Sequence, residues 1–569
     1  MRRDVVNLFL QPVPANLPPS TYVRRVDHAI FGASAVFALV YFGIGFGFCY
    51  FTRAPLVPFL HSSVHWPLPL ALYPALVLAL LAAAAVFIAG LTPWRNLVHI
   101  EGPRLLEGKD AARAATRIAK RECAPQEPFL SLHPLLPLPK SRWTRGVFFY
   151  GSPRSGKTVA LIPIIEQLIE KNHCAIIYDV KGDFTSYWLG NSVGLVCPWD
   201  RRSMVWDIGR DLRSPSQAQV FASSLIKENE RDPFWSGASR QLLEGTIKSL
   251  QNECGAQWGW SEVAQRLNED ATSLAERMAE HHPKASNLVA NAQSQTTASV
   301  MANLAAHTKI IDDLALAWGD GRDESGNERE HIAFTDWLRD GYKGKRRQII
   351  LQAGDKNMTS AFVSAVVNVI APEILSPRMK DDEFGRTIAF VIDELPSVKF
   401  DFQALIERGA SKGVVFLGTC QTLEQIKEVW GESTMKSLGS MVGTHLVFQV
   451  QQSQTREELS AMFGKARYAI TNVSTSSGEK GNQNISVHEE ARAVVQPYEL
   501  TELLGKRATK KSWSVRALVS LGGDVLCLDF PGVSPQARRS SHRAAHWTRG
   551  PAKPKKNALE RIKNGGLEC

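Results

Sequence analysis

The chain has 569 residues, enough for several domains at about 150 residues each. Its composition is that of a globular protein with a membrane fraction, which excludes a disordered, collagenous or small disulfide-rich chain. The 66 Lys and Arg against 56 Asp and Glu give a formal charge of +10, compatible with a polyanionic partner such as nucleic acid or acidic lipid. The eight cysteines are scattered, without a C-x-x-C pair or a Cys/His cluster at metal spacing, and read as reduced thiols in a cytoplasmic body.

Residues 1–100 read as a membrane anchor. Ala29 to Phe51 is a run of 23 residues without a charge, and a second apolar run extends from Leu68 to Leu91. Each is long enough to cross a hydrocarbon core of about 30 Å at 1.5 Å per helical residue. The first run is too long for a cleaved signal peptide, and a second one follows it. Arg2, Arg3, Arg24 and Arg25 precede the first run and Arg95 follows the second, while the connecting loop holds only Arg53. The positive-inside rule then places both termini in the cytoplasm. Gly43 and Gly47 form a small-xxx-small pair suited to close helix approach.

Residues 101–140 read as a juxtamembrane stem and linker. Arg104, Lys109, Arg113, Arg117, Lys120 and Arg121 lie on a mildly amphipathic stretch that suits acidic lipid head groups or plain solvent equally. A Pro- and Leu-rich segment, Pro125 to Lys140, reads as the linker.

At 141–212 the first part of a folded motor begins. A short apolar strand, Val147 to Tyr150, runs into Gly151-Ser152-Pro153-Arg154-Ser155-Gly156-Lys157-Thr158 and then an apolar-periodic helix, Val159 to Glu170. This is G-x-x-x-x-G-K-T in its required strand, loop, helix context. Its backbone N–H groups curl around phosphate oxygens at a helix N-terminus. Lys157 is expected to reach the β and γ phosphates of ATP, and the Thr158 hydroxyl to ligate Mg²⁺. A further strand, Ala175 to Tyr178, ends in Asp179-Val180-Lys181-Gly182-Asp183.

Residues 213–346 show helical runs and little strand pattern: Gln217 to Lys227, Ser239 to Gln251, Ala271 to Ala279 and Thr296 to Ala317. Pro233-Phe234-Trp235, Trp258 and Trp260 suit either an exposed docking surface or, more commonly for large aromatics, a helical core. Gly319 to Arg329 reads as a surface loop.

Residues 347–532 complete the motor. The strand Ile388 to Ile392 is continuously apolar and ends in Asp393-Glu394. Asp393 is placed to serve the metal with Thr158, and Glu394 to polarise the attacking water. The strand Val414 to Gly418 leads to Gln421, at the strand end where such sheets collect ligand-binding residues. Arg408, near Lys412, is a candidate arginine finger acting on a neighbouring subunit. Apolar strands follow at Thr444 to Val450 and Val525 to Phe530, with Ser474 to Asn484 between them reading as a flexible loop. Residues 533–569 lack apolar periodicity and carry Arg538, Arg539, Arg543, Lys553, Lys555 and Lys556. They read as a basic flexible tail, either a polyanion-binding arm or merely solvated. The charge surplus sits at the two ends, +4 in residues 1–100 and +7 in residues 533–569, leaving the motor at −1.

The segments GSPRSGKTVALIP, AIIYDVKGDF, CPWDRRSMVWDI, DPFWSGASRQLL, IAFVIDELPS and GTCQTLEQI, in this order, resemble the type IV secretion coupling proteins, the TraD/TraG class of conjugative ATPases. The resemblance covers roughly Arg104 to Phe530; YDVKGDF, Phe234-Trp235 and Gln421 carry its specificity. It implies an α/β fold: a RecA-like P-loop motor domain with an inserted all-α domain, preceded by two transmembrane helices and assembling as a homo-hexamer on the bacterial inner membrane. It also implies ATP and Mg as cofactors. The implied partners are single-stranded or relaxosome DNA, the relaxase with its accessory proteins, and the secretion channel. Related proteins often carry an Arg-Lys pair where this chain reads ERGASKG, which leaves the finger open.

A septal DNA translocase of the FtsK type is the nearest alternative, but such pumps usually end in a winged helix, for which the last 37 residues are too few. A membrane protease needs His-Glu-x-x-His, and His488-Glu489-Glu490-Ala491-Arg492 lacks the second histidine. A transporter ATPase needs an LSGGQ-like signature, which does not occur. A docking receptor that binds nucleotide without hydrolysing it is the alternative from another class.

Overall fold

The computed structural model describes residues 19–52, 73–91 and 97–549, apart from residues 191, 229–231, 320, 324, 341, 355, 383–384, 476–482 and 509–511. The chain divides into two units, residues 1–102 with 465–492, and residues 103–464 with 493–569.

In the first unit, two helices cover the apolar runs, α1 (Pro19–Thr52) and α2 (Tyr73–Leu91). They pack through Tyr41 and Ala79, flanked by Phe37, Val40 and Leu76. A Cβ at Gly32 would meet Val86 at 3.5 Å, whereas Gly43 and Gly47 face open space. The small-xxx-small pair is therefore not where these helices touch. Among the described residues no helix is long and apolar enough to cross a membrane, so the two expected spans are not established by the structure. Arg2, Arg3, Arg53 and Arg95 lie outside the described residues.

The same unit holds a three-stranded sheet of Leu97–Glu101, Lys465–Thr475 and Gln483–Ala493. Leu97 faces Ile470 and Glu101 faces Arg467 in an antiparallel ladder, closed by an Arg467–Glu101 ion pair at 2.9 Å. Gly102 has φ +96°, and a Cβ there would lie 3.0 Å from the Ala466 backbone. Of the expected loop Ser474 to Asn484, the described residues Ser474, Thr475, Gln483 and Asn484 belong to strands of this sheet. The rest of that expectation, residues 476–482, lies outside the described residues.

The second unit is built on an eleven-stranded mixed sheet. Its strands are β1 (Leu105–Leu106), β2 (Val147–Tyr150), β3 (Cys174–Asp179), β4 (Val193–Val196), β5 (Gln348–Gln352), β6 (Ile388–Ile392), β7 (Val414–Cys420), β8 (Thr444–Val447), β9 (Gly505–Ala508), β10 (Trp513–Ser520) and β11 (Val525–Pro531). The order is β1-β11-β10-β8-β2-β7-β6-β3-β5-β4, with β9 on β10. The seven strands from β8 to β4 are parallel. β10 is antiparallel to both β8 and β11. β2, β4, β5, β6, β7 and β8 are buried at every residue, as parallel strands covered on both faces must be.

The expected stem and linker belong to this unit. Helix α3 (Gly108–Cys123) buries Ala111, Ala114, Ala115 and Ala119 in the main core and leaves Lys109, Arg113, Arg117, Lys120 and Arg121 exposed. The Pro- and Leu-rich segment is a hairpin, Pro128–His133 with Leu136–Pro139, whose Leu130, Leu132, Leu136 and Leu138 join the same core. Its alternation of leucine with small or polar residues is a strand pattern hidden by the prolines.

After α4 (Lys157–Glu170) and β4, the chain leaves the sheet for the helical insertion. Its helices are α5 (Pro215–Leu225), α6 (Pro233–Cys254), α7 (Trp260–Leu267), α8 (Ala271–Ala279), α9 (Pro283–Val289) and α10 (Gln295–Trp318). Caps set the starts: Ser214 with Gln217 forms a capping box before α5, Asp270 caps α8 and Ser294 caps α10. Trp258 and Trp260 are buried, and Trp260 lies 5.4 Å from Trp206 and 6.0 Å from Trp318. The Trp206, Trp260 and Trp318 rings, with Phe362 5.9 Å from both Trp206 and Trp318, form an internal joint of the insertion rather than a docking surface. Phe234 alone stays largely exposed, edge-on to Trp235 at 4.9 Å.

The tail differs most from expectation. Residues 533–549 are not a loose arm but a strap over the carboxyl ends of β3, β5 and β4. Arg538 N and Arg539 N donate to Ser186 O, at 3.0 and 3.2 Å. Gln352 Nε2 donates to Ser541 O at 2.8 Å. Arg543 N donates to Asp200 Oδ2 at 2.8 Å, Ala545 N to Trp199 O at 2.9 Å, and Trp547 Nε1 to Pro198 O at 3.0 Å. Backbone groups make most of these bonds, so no apolar period marks the segment. Lys553, Lys555 and Lys556 lie outside the described residues.

Candidate nucleotide site

The phosphate loop joins β2 to α4 and is held from both sides. Gly151 N donates to Cys420 O at the end of β7, and Ser152 N to Gln449 O just after β8. Gln451 N donates to Ser152 Oγ at 3.0 Å. Gly156 has φ +105°, and a Cβ there would come within 2.5 Å of Val515 Cγ1. Only glycine meets both conditions. Arg154, with φ +62°, adopts the left-handed conformation without being glycine, and with Pro153 it is exposed at the loop tip.

Lys157 is buried and folds back to donate to Gly151 O and, at 3.3 Å, to Ser152 O. Burial lowers its pKa, with Glu394, Cys420 and Asp393 pulling the other way. Ser155 Oγ is buried without a hydrogen-bond partner. A lysine turned onto its own loop and an orphaned hydroxyl are donors that a phosphate group would take up. Thr158 is half-buried one residue further on.

The acidic pair does not sit on a strand hydrogen-bonded to β2. β7 lies between β2 and β6, so Asp393 and Glu394 face the phosphate loop across one strand. Burial raises the Asp393 carboxyl to about 6, with Asp179 and Glu394 adding to the shift. Glu394 has φ +77°, a left-handed backbone that costs about 1–2 kcal/mol in a non-glycine residue. Its N–H donates to Thr419 Oγ1 at 3.0 Å, and Ser397 Oγ donates to its carbonyl at 2.6 Å. Gln421 Nε2 donates to Glu394 Oε2 at 2.8 Å. Strain held by neighbours at such a position is a mark of a working site.

Asp179, at the end of β3, is buried and accepts from Gly182 N, Thr185 N and Thr185 Oγ1; its role is to fold the turn that carries Lys181. Among the described residues no group of three or more His, Cys, Asp and Glu is arranged to hold a metal. A cation here would be completed by phosphate oxygens and water beside Thr158 and Asp393, as hard Mg²⁺ usually is. Cys420, beside the loop, is fully buried and its thiol is pushed up to about 12.

Arg408 is not brought into this site. It is exposed near the end of α11 (Phe402–Gly409), six residues before the start of β7. The seven-residue β7 separates it from Cys420 by about 20 Å at about 3.3 Å per residue. Lys412 is held by Asp381 at 2.9 Å. A cavity of about 500 Å³ lies at this opposite, amino edge of the sheet, lined among others by Arg121, Arg142, Arg145 and His445, and is separate from the phosphate loop. Residue types at fixed spacing identified Lys157, Thr158, Asp393, Glu394 and Gln421; Thr419, Gln449 and Val515 carry no such signal, since they act through the contacts they make.

The fold is similar to that of solved conjugative coupling proteins. Unbound TrwBdeltaN70 matches with a TM-score of 0.62 at 16% identity, over 78% of this chain and 96% of that chain. TrwB in complex with ADP and Mg²⁺ matches with a TM-score of 0.60 at 16% identity, over 79% and 98%. TrwB with the non-hydrolysable ATP analogue ADPNP matches with a TM-score of 0.59 at 17% identity, over 79% and 97%. A comparison with curated protein sequences finds no match. The family model of the type IV secretion-system coupling protein DNA-binding domain matches residues 130–515, which span the phosphate loop, the insertion and the acidic strand end. The chain belongs to the type IV secretion-system coupling protein family.

Proposed function

We propose that this protein is a P-loop ATPase of a conjugative type IV secretion system, which couples the relaxase–DNA complex to the secretion channel and powers its transfer. The observation that carries this reading is the convergence of Lys157, Asp393, Glu394 and Gln421 at one edge of the sheet. The nucleotide complexes of TrwB support ATP and Mg²⁺ as the ligands.

In this mechanism the loop N–H groups and Lys157 bind the β and γ phosphates of ATP. Thr158 and Asp393 hold Mg²⁺, which supplies neutralisation of charge on the phosphate oxygens. Glu394 orients the attacking water and accepts its proton as the water oxygen bonds to the γ phosphorus and the bond to the β-phosphate oxygen breaks. Gln421 holds the Glu394 carboxylate in place through its 2.8 Å hydrogen bond. Arg408, remote from its own chain's site, serves as a finger for the adjacent subunit of a homo-hexamer.

The reading includes an inner-membrane anchor of two spans with both termini cytoplasmic. It is supported by the uncharged runs and by the outward faces of α1 and α2, where Phe31, Leu39, Val77, Leu80, Leu81 and Ile88 are exposed. Partners are single-stranded or relaxosome DNA, the relaxase with its accessory proteins, and channel proteins. ATP turnover by the detergent-solubilised full chain, with and without single-stranded DNA, tests the proposal. Turnover abolished by Glu394→Gln supports it; nucleotide binding without turnover in the wild type would leave only a docking receptor.

A further inference from the structure

The strap of residues 533–549 lies beyond the residues matched by the family model, and its construction separates anchoring from charge. Its anchors are backbone groups: Arg538 N, Arg539 N and Arg543 N are spent on Ser186 O and Asp200 Oδ2. The three arginine side chains are exposed, and among the described residues their guanidinium groups make no ion pair or hydrogen bond. The carboxylates around them do not neutralise them. Asp200 is fully buried and its oxygens are taken by Arg202 and by Arg543 N. Glu166 is near enough for its charge to feel Arg538, without an ion pair.

The segment bends at Arg539 and Ser541, so the three guanidinium groups cluster within six residues of chain, a concentration of positive charge that suits phosphate oxygens. The imidazole of His542, whose Nδ1 lies 3.6 Å from Asp200 Oδ2, and the exposed imidazole of His546 lie on the same segment, and their flat rings are of the kind on which bases stack. The strap also covers the loops after β3, β5 and β4, the edge of the sheet that carries the nucleotide site. Ser541 packs on Gly182, where a Cβ would meet it at 3.0 Å, and Gly182 adjoins Lys181, whose charge acts on both Lys157 and Asp393.

We infer that Arg538, Arg539 and Arg543 form a phosphate-binding track for single-stranded nucleic acid, laid by the strap beside the nucleotide site. The inference deepens the function proposed above and rests on it. Acidic lipid is the less suited anion, because the strap lies at the sheet edge that carries the phosphate loop and its backbone is already pinned to the motor.

The test measures binding of a fluorescent oligo(dT) to the full chain in detergent as a function of NaCl. The variants are Arg538→Ala/Arg539→Ala/Arg543→Ala, the corresponding triple Lys variant, and a control, Arg113→Ala/Arg117→Ala/Lys120→Ala, on the exposed face of α3. The strap alanine variant is expected to bind about tenfold or more weakly, with the salt slope reduced by about 2, since each single-strand phosphate contact contributes about 0.7. The Lys variant and the control should stay near wild type. Equal losses in strap and control variants, or no loss in the strap variant, would overturn the track. So would loss of binding to acidic phospholipid vesicles in place of oligonucleotide. Binding of a fluorescent ADP analogue, measured in parallel, reports whether each variant is folded. ATP turnover by the wild type, measured in the same preparations, separates failure of the track from failure of the ATPase reading.

Discussion

Gln421 Nε2 donates a 2.8 Å hydrogen bond to Glu394 Oε2, joining the residues that follow two adjacent parallel strands, β7 and β6. A carboxylate on a strained left-handed backbone is thereby fixed from its side chain as well as from Thr419 and Ser397. Glu394→Gln should lower ATP turnover by about 10³-fold, within the range of a lost general base, while nucleotide affinity is retained. Gln421→Ala should lower turnover by about tenfold. In the double variant the two effects should not multiply, because both act through one carboxylate. Single-turnover hydrolysis and nucleotide titration check this, and multiplicative losses would separate the roles.

Lys157→Ala removes the cation that the loop keeps buried against its own carbonyls. Nucleotide affinity and turnover should both be lost, as read by fluorescent nucleotide titration and phosphate release. Gly156→Ala should do the same by a different route, since its Cβ would strike Val515 and its φ is +105°. Near-normal turnover of Lys157→Ala would defeat the motor assignment.

Arg408 lies at the end of the sheet remote from its own phosphate loop. Arg408→Ala should keep nucleotide affinity and lose turnover, and mixing it with the Lys157→Ala chain should restore part of the activity if the finger acts between subunits. The measurement is turnover across mixing ratios. Full activity of Arg408→Ala by itself would remove the residue from the mechanism.

Asp211 ties the two ends of the insertion together. It accepts from Trp206 Nε1, Phe334 N, Thr335 N and Thr335 Oγ1. Asp211→Ala leaves these buried donors unpaired and should destabilise the fold by about 3 kcal/mol, seen as a lower denaturation midpoint. Burial raises the Asp211 carboxyl to about 6 from 3.8, against the pull of those same hydrogen bonds. Between these values the folded state binds more protons than the unfolded one, so the stability of the wild type should decline as pH rises from about 4 to 6. Asp211→Asn should lack that component.

The nucleotide chemistry was legible because it demands residue types at fixed spacing. G-x-x-x-x-G-K-T, a continuous apolar strand ending in two carboxylates, and a glutamine after another apolar strand are local patterns. The insertion was legible for a similar reason: α5, α6, α8 and α10 carry helical periodicity, three of them with recognisable caps. Trp258 and Trp260 were ambiguous because a tryptophan shows its size in the sequence but not its surroundings, and Trp206 and Trp318 come to Trp260 from distant segments.

The amino-acid sequence by itself therefore marked the phosphate loop, the strand ending in Asp393-Glu394 and the helical insertion. Tertiary structure alone decided how they meet. It placed β7 between the phosphate loop and the acidic pair, and it brought Gln421 onto Glu394. It paired Lys465–Thr475 with Leu97–Glu101, more than 360 residues back, and laid residues 533–549 as a strap along the edge of the sheet. These relations depend on backbone hydrogen bonds between distant segments. Every non-proline residue offers the same N–H and C=O groups, so such pairings leave no pattern of residue types to read until the chain has folded.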